Sequence, residues 1–86
     1  MAVWLRIRIH PNFVGPASIG TVAPIQVLRE ELALTLPAAK SLIDRAVFDA
    51  EVVRVPVESE SRAELVSRKL NDSAPGILSA WVEPQQ

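Results

Sequence analysis

The sequence predicts an α+β domain of two layers, in which three helices pack on one face of a three-stranded sheet. Three observations lead to this fold class. One segment alternates strictly between apolar and other residues, three segments repeat apolar residues at helical spacing, and two further segments, of which residues 52–57 are rich in β-branched residues, have the length of strands. In chain order they give β-α-α-β-α-β. With 86 residues the chain has the size of one domain, so we treat residues 1–86 as a single unit that ends in a polar tail at 84–86.

The first strand has the clearest pattern, because its apolar residues alternate with residues of a different kind, as a strand with one buried face requires. The two sets are Val3, Leu5, Ile7 and Ile9 on one face and Trp4, Arg6, Arg8 and His10 on the other. The next segment, residues 10–20, contains two prolines and two glycines. It therefore predicts a loop.

Two short helices are predicted next, because a proline interrupts what would otherwise be one longer helix. Thr21 is the expected N-cap of a helix that begins at Val22. Thr35 is the expected N-cap of a second helix, whose first turn contains Pro37. The two helices therefore meet at residues 33–34.

The second half of the chain predicts a strand, a helix and a strand. Residues 52–57 are rich in valine, and Pro56 places this strand at an edge of the sheet, where a missing N–H is tolerated. Such an edge could pair with a second chain, so we expect a monomer or a weak homodimer. Residues 61–64 (SRAE) have the form of a capping box that starts the third helix. Residues 71–76 predict its end, and residues 77–83 predict the last strand.

Two segments within the predicted helix pair, residues 25–29 (IQVLR) and 34–43 (LTLPAAKSLI), match the signature region of a known family without a gap. On these segments the chain resembles the C-terminal domain of the bacterial ribosomal stalk protein of the large subunit. That family has the same β-α-α-β-α-β order. The resemblance is most evident from residue 21 to residue 44, and the later strand, helix and strand can be aligned with it.

The resemblance implies a protein-binding surface at Ile25, Arg29 and Lys40, which correspond to the isoleucine, arginine and lysine that contact translation factors in that family. Two other basic positions of the family are occupied here by Thr21 and Gln26, which weakens docking onto an acidic factor. The family's N-terminal dimerisation segment and hinge have no counterpart in this sequence. We therefore expect a stand-alone bacterial copy of the domain that is adapted to another partner.

Catalytic and metal sites are not expected. The chain has no cysteine and a single histidine, His10, so the usual zinc ligands and a serine–histidine dyad lack support. Its three glycines are not spaced as a phosphate-binding loop, and adjacent acids such as Glu30 and Glu31 are typical of a solvated surface. We expect no enzymatic activity and no cofactor. The lack of cysteine, of a signal peptide and of a membrane-spanning run favours a cytoplasmic protein.

A second candidate surface is the outer face of the first strand, where Trp4, Arg6 and Arg8 project together beside Arg54 of a neighbouring strand. Tryptophan and arginine are enriched among residues that dominate binding energy. The alternative interpretation is that helices leave this side uncovered and the arginines only keep it hydrated. Trp81 is interpreted as a partly buried anchor of the last strand.

These observations favour a non-catalytic protein–protein interaction domain whose partner is another protein, a translation-related factor or a toxin, and the resemblance implies that it binds through Ile25, Arg29 and Lys40. One alternative is an immunity protein or antitoxin that neutralises a cognate bacterial toxin through a surface outside the helix pair. A weaker alternative is single-stranded RNA stacked on the face of Trp4, Arg6 and Arg8. The formal net charge of −1 and the expectation of a single exposed aromatic residue disfavour nucleic acid.

Overall fold

The computed structural model describes residues 3–11, 13 and 21–83. Its elements, in chain order, are β1 (Val3–Ile9), α1 (Val22–Leu32), α2 (Leu36–Val47), β2 (Val53–Val57), α3 (Glu60–Ser73) and β3 (Leu78–Val82). The predicted α+β class and β-α-α-β-α-β order are confirmed. The polar tail and most of the predicted loop lie outside the described residues. No helix in the described part of the chain is long and apolar enough to cross a bilayer.

The three strands form one antiparallel sheet in the order β2-β1-β3, so the first strand of the chain is the central one. β2 is an edge strand, as the proline within it predicted, and β3 forms the opposite edge. Leu5 and Ile7 of β1 are fully buried beneath the helix layer, together with Leu28 of α1, Ile43 of α2 and Leu70 of α3. One apolar core therefore lies between the sheet and the helices.

The junction of α1 and α2 agrees with the prediction, although only one of the two predicted caps forms. Thr35 is extended, and its hydroxyl accepts a hydrogen bond from the Ala38 N–H at 3.3 Å. Thr21 occupies the predicted N-cap position before Val22, but it has a helical conformation and its side chain makes no capping hydrogen bond. Ala33 takes a left-handed conformation with φ of 55°, which turns the chain between the helices.

The start and end of α3 differ from the prediction. Ser59 is the N-cap, since its hydroxyl accepts from the Arg62 N–H at 3.2 Å, and Ser61 lies inside the first turn. The predicted capping box is therefore wrong by two residues. The helix also continues through Asn71 to Ser73 instead of stopping, because the Asn71 side chain bonds to the neighbouring strand and does not compete for its own helix backbone.

Candidate binding surface on the outer face of the sheet

The face of the sheet opposite the helices carries most of the aromatic and arginine residues of the strands. Strand register places Arg6, at the centre, directly between Arg54 of β2 and Trp81 of β3. Trp4 and Arg8 lie on the same face of β1, two residues to either side of Arg6. Trp4 and Trp81 are half-buried and Arg8 is exposed. We call these five residues the outer-face cluster.

Glu83 holds two of these arginines in place. Its carboxylate accepts hydrogen bonds from Arg6 Nη2 at 2.5 Å and from Arg54 Nη2 at 2.9 Å. The guanidinium of Arg54 also lies 4.2 Å from the centre of the Trp4 ring, in the geometry of a cation–π contact. One carboxylate from the end of β3 therefore links side chains of all three strands and orients the surface before any partner arrives.

The electrostatics of the outer face follow from these contacts. Hydrogen bonds from Arg54 and Arg6 lower the pKa of Glu83 below the usual glutamate value of 4.5, so this carboxylate is ionised at neutral pH. Three arginines and one carboxylate leave a local charge of +2 (3 − 1) on this face. Arg8 is the only one of the three arginines without an acidic partner in the described part of the chain. It is therefore the arginine most open to an anionic group of a partner.

Sequence reasoning placed Trp4, Arg6, Arg8 and Arg54 together but missed two members of this surface. Trp81 is half-buried, as expected for an anchor, yet its position opposite Arg6 puts it on the same face as the arginines. In β3, Leu78 and Ala80 are buried and Ser79 is not. This alternation indicates that Trp81, two residues after Ser79, lies on the outer face. The role of Glu83 depends on strand order, which the sequence did not reveal.

The residues implied by the stalk resemblance occupy α1 and α2. Ile25 and Arg29 lie one turn apart on α1, so they share a helix face. Ile25 is half-buried and packs against the core, while Arg29 is exposed. On α2, Lys40 Nζ donates to Asp44 Oδ2 at 2.6 Å, so its charge is partly satisfied within its own helix. Of these three residues, only Arg29 is an exposed cation without an ion-pair partner in the described part of the chain.

The described residues contain no group of three or more histidine and acidic side chains arranged to hold a metal ion. Comparisons with known protein families, curated proteins and solved structures find no match to this chain. Fold and surface together define its class as a small α+β domain whose sheet presents an arginine–tryptophan face away from the helices.

Proposed function

We propose that this chain is a non-catalytic protein-interaction domain and that the outer-face cluster binds a partner-protein surface that presents an acidic group to Arg8 and apolar groups to the tryptophans. The preformed contact network of Trp4, Arg6, Arg54 and Glu83 is the observation that carries this proposal. Side chains that are already ordered lose less conformational entropy on binding, and tryptophan and arginine supply large contact areas. We also propose a cytoplasmic location, which the absence of cysteine supports.

A protein partner is favoured over RNA because of where the negative charge lies. A phosphate backbone binds through cations that are not already neutralised. Here the ionised carboxylate of Glu83 occupies the space between Arg6 and Arg54, and the whole chain has a formal net charge of −1. A protein surface can present one acidic group to Arg8 and apolar groups to the two tryptophans. Either a toxin or a translation-related factor fits this description.

The α1–α2 surface of Ile25, Arg29 and Lys40 is the second candidate. The resemblance to the stalk family supports it, as does the exposed position of Arg29, which has no ion-pair partner among residues 3–11, 13 and 21–83. The partial burial of Ile25 and the Lys40–Asp44 pair count against it.

Three matched charge reversals separate the two surfaces. Arg8→Glu changes the outer face, Arg29→Glu changes the helix surface, and Arg68→Glu changes an exposed position on α3 as a control. Tagged variants would capture partners from the native host, with quantitative mass spectrometry of the bound proteins before and after nuclease treatment. We expect Arg8→Glu to reduce capture of the main partner at least about tenfold, which is ~1.4 kcal/mol, while the other two variants retain it.

Each other pattern has a definite meaning. Loss of capture with Arg29→Glu alone would move the binding site to the helix surface. Equal capture by all three variants would refute both surfaces, and loss of the partner on nuclease treatment would favour RNA. Thermal melting of each variant controls for folding, since all three positions are exposed and their substitution is expected to change stability by less than about 0.5 kcal/mol.

A further inference from the structure

The outer face of the sheet carries both kinds of side chain that single-stranded nucleic acids use for binding. Proteins that bind such strands combine cations that follow the phosphates with aromatic rings on which the bases stack. Arg6 and Arg54 are directly opposite each other on β1 and β2, and Trp4 and Trp81 lie on the same face. These are the two tryptophans of the chain. The residue types of this face would admit a nucleic acid, so its selectivity depends on how the side chains are held.

Glu83 fills the space that an anionic ligand would take between the two arginines. Like charges directly opposite each other on neighbouring strands are destabilising, so Arg6 and Arg54 favour an anion between them. The carboxylate of Glu83 supplies it, since Oε1 accepts from Arg6 Nη2 at 2.5 Å and Oε2 accepts from Arg54 Nη2 at 2.9 Å. Each carboxylate oxygen is engaged by one arginine. The two arginines therefore form an anion site that the chain itself occupies.

The backbone holds Glu83 at this site. Its N–H donates to the Trp4 C=O at 2.8 Å, which continues the pairing of β1 with β3 one residue beyond Val82. A tethered carboxylate competes as an intramolecular ligand, at an effective concentration above that of a dilute anion in solution. A phosphate group would have to displace this carboxylate and would also approach its negative charge. Both effects oppose the binding of a phosphate backbone to Arg6 and Arg54.

The same carboxylate also restricts base stacking. The guanidinium of Arg54 lies 4.2 Å from the centre of the Trp4 ring, so it covers one face of that ring. A base that stacked on this face would have to displace Arg54, which Glu83 anchors through its second oxygen. One side chain therefore blocks the phosphate contacts and the stacking surface together.

We propose that Glu83 is a specificity-determining residue, which excludes single-stranded nucleic acid from the outer face and keeps that face selective for a protein. The proposal rests on the proposed function only in concerning the same face. Specificity commonly requires an element that disfavours the wrong ligand. Without the carboxylate, the charge of the face would rise from +2 to +3, that of its three arginines. Arg6 Nε already has no acceptor in the described part of the chain, and Arg6 Nη2 would then lose the carboxylate oxygen.

The test neutralises this carboxylate with little change in size. Binding of a fluorescein-labelled single-stranded oligothymidylate to the complete chain is measured by fluorescence anisotropy at several salt concentrations. We expect Glu83→Gln to bind at least about tenfold more tightly than the natural chain at low salt. Two freed arginines add two phosphate contacts, so the slope of log affinity against log salt should steepen by about 1.4, at about 0.7 for each contact. Adding Arg54→Gln to Glu83→Gln should remove about half of that increase.

Intrinsic fluorescence locates the bound strand, because both tryptophans of the chain lie on the outer face. Stacked bases are expected to quench this fluorescence in Glu83→Gln. The natural chain should show no quenching at the same concentration of unlabelled oligothymidylate. Tight binding without quenching would place the strand on another surface and would overturn the proposal.

Glu64→Gln is the matched control, since it removes the same charge from an exposed position on α3. It should bind the oligothymidylate within about twofold of the natural chain, because a distant exposed charge is screened by salt. An equal gain for Glu64→Gln and Glu83→Gln would show that net charge alone sets the affinity, which would overturn the proposal. Equal affinity of the natural chain and Glu83→Gln, with thermal melting showing that both are folded, would do the same.

A measurement on the natural chain decides the question even if Glu83→Gln fails to fold. The Nε–H NMR signals of Arg6 and Arg54 should not shift when oligothymidylate is added, because Glu83 holds both side chains. Shifts of these signals would show that phosphate displaces the carboxylate, and they would overturn the proposal. The two proposals fail separately. No gain in oligothymidylate binding by Glu83→Gln, alongside loss of partner capture by Arg8→Glu, would reject the role of Glu83 and leave the outer-face proposal standing.

Discussion

Replacement of Asn71 by alanine tests how much the hydrogen bonds between this side chain and the edge strand β3 contribute to the free energy of unfolding. The change removes the two hydrogen bonds, of 3.0 and 2.8 Å, between the Asn71 amide and the backbone of Ala80. A typical net contribution is about 0.5–1.5 kcal/mol per bond, and Ala80 is only 6% exposed, so water replaces the lost partner incompletely. We expect the free energy of unfolding to fall by about 2 kcal/mol. For a domain of this size that lowers the melting temperature by about 8–16 °C.

The assay is urea unfolding followed by circular dichroism, combined with hydrogen exchange at the Ala80 amide. Asp72→Ala, at the neighbouring exposed position, is the matched control and should change stability by less than about 0.5 kcal/mol. Asn71→Asp keeps the acceptor but places a carboxylate against the Ala80 C=O, so at neutral pH it should destabilise at least as much as alanine. A loss below about 0.5 kcal/mol for Asn71→Ala, with the Ala80 amide still protected, would refute the reasoning.

Three further outcomes are expected. Ile43→Ala, which truncates a fully buried side chain of the core, should lower the free energy of unfolding by about 2–5 kcal/mol in urea unfolding. Ser59→Ala should cost about 1 kcal/mol and Ser61→Ala much less, and the reverse order would show that the cap has been misassigned. Because the pKa of Glu83 is lowered in the folded state, its ionised form stabilises the fold above pH 4.5, and that contribution is lost as the pH falls through the folded-state pKa. The stability difference between the natural chain and Glu83→Gln should thus be largest near pH 7 and vanish near pH 2, whereas a pH-independent difference would contradict the assigned contacts.

The fold was predictable because local patterns and tertiary packing agree in most of the chain. The alternation of β1 and the proline at position 37 each identify an element without reference to the rest of the molecule. The start of α3 was not predictable from local sequence, because Ser59 and Ser61 both precede helix-forming residues. The end of β2 at Val57 determines that Ser59 is the N-cap. Local sequence therefore identifies candidate N-cap residues, but it does not fix the helix boundary to within one or two residues.

The candidate surface was less predictable than the fold. One strand was enough to group Trp4 with two arginines, because side chains two apart share a face. The positions of Trp81 and Glu83 relative to the arginines depend on β3 lying beside β1. Local sequence patterns do not determine the order of strands in a sheet, so these positions could not be predicted. The helix surface was inferred from resemblance alone. The resemblance did not indicate that Lys40 forms an ion pair with Asp44 within its own helix.

The side-chain amide that blocks one margin of the sheet also limits what kind of assembly the protein can build. Open-ended fibrils grow when each subunit offers two complementary, unfilled margins, so that every addition creates a place for the next. Asn71 occupies both outward backbone groups of Ala80 at the middle of the β3 margin, so a further strand would have to displace this side chain before it could pair there. We therefore expect this margin to oppose growth by repeated strand addition, so concentrating the protein should not readily start polymerisation.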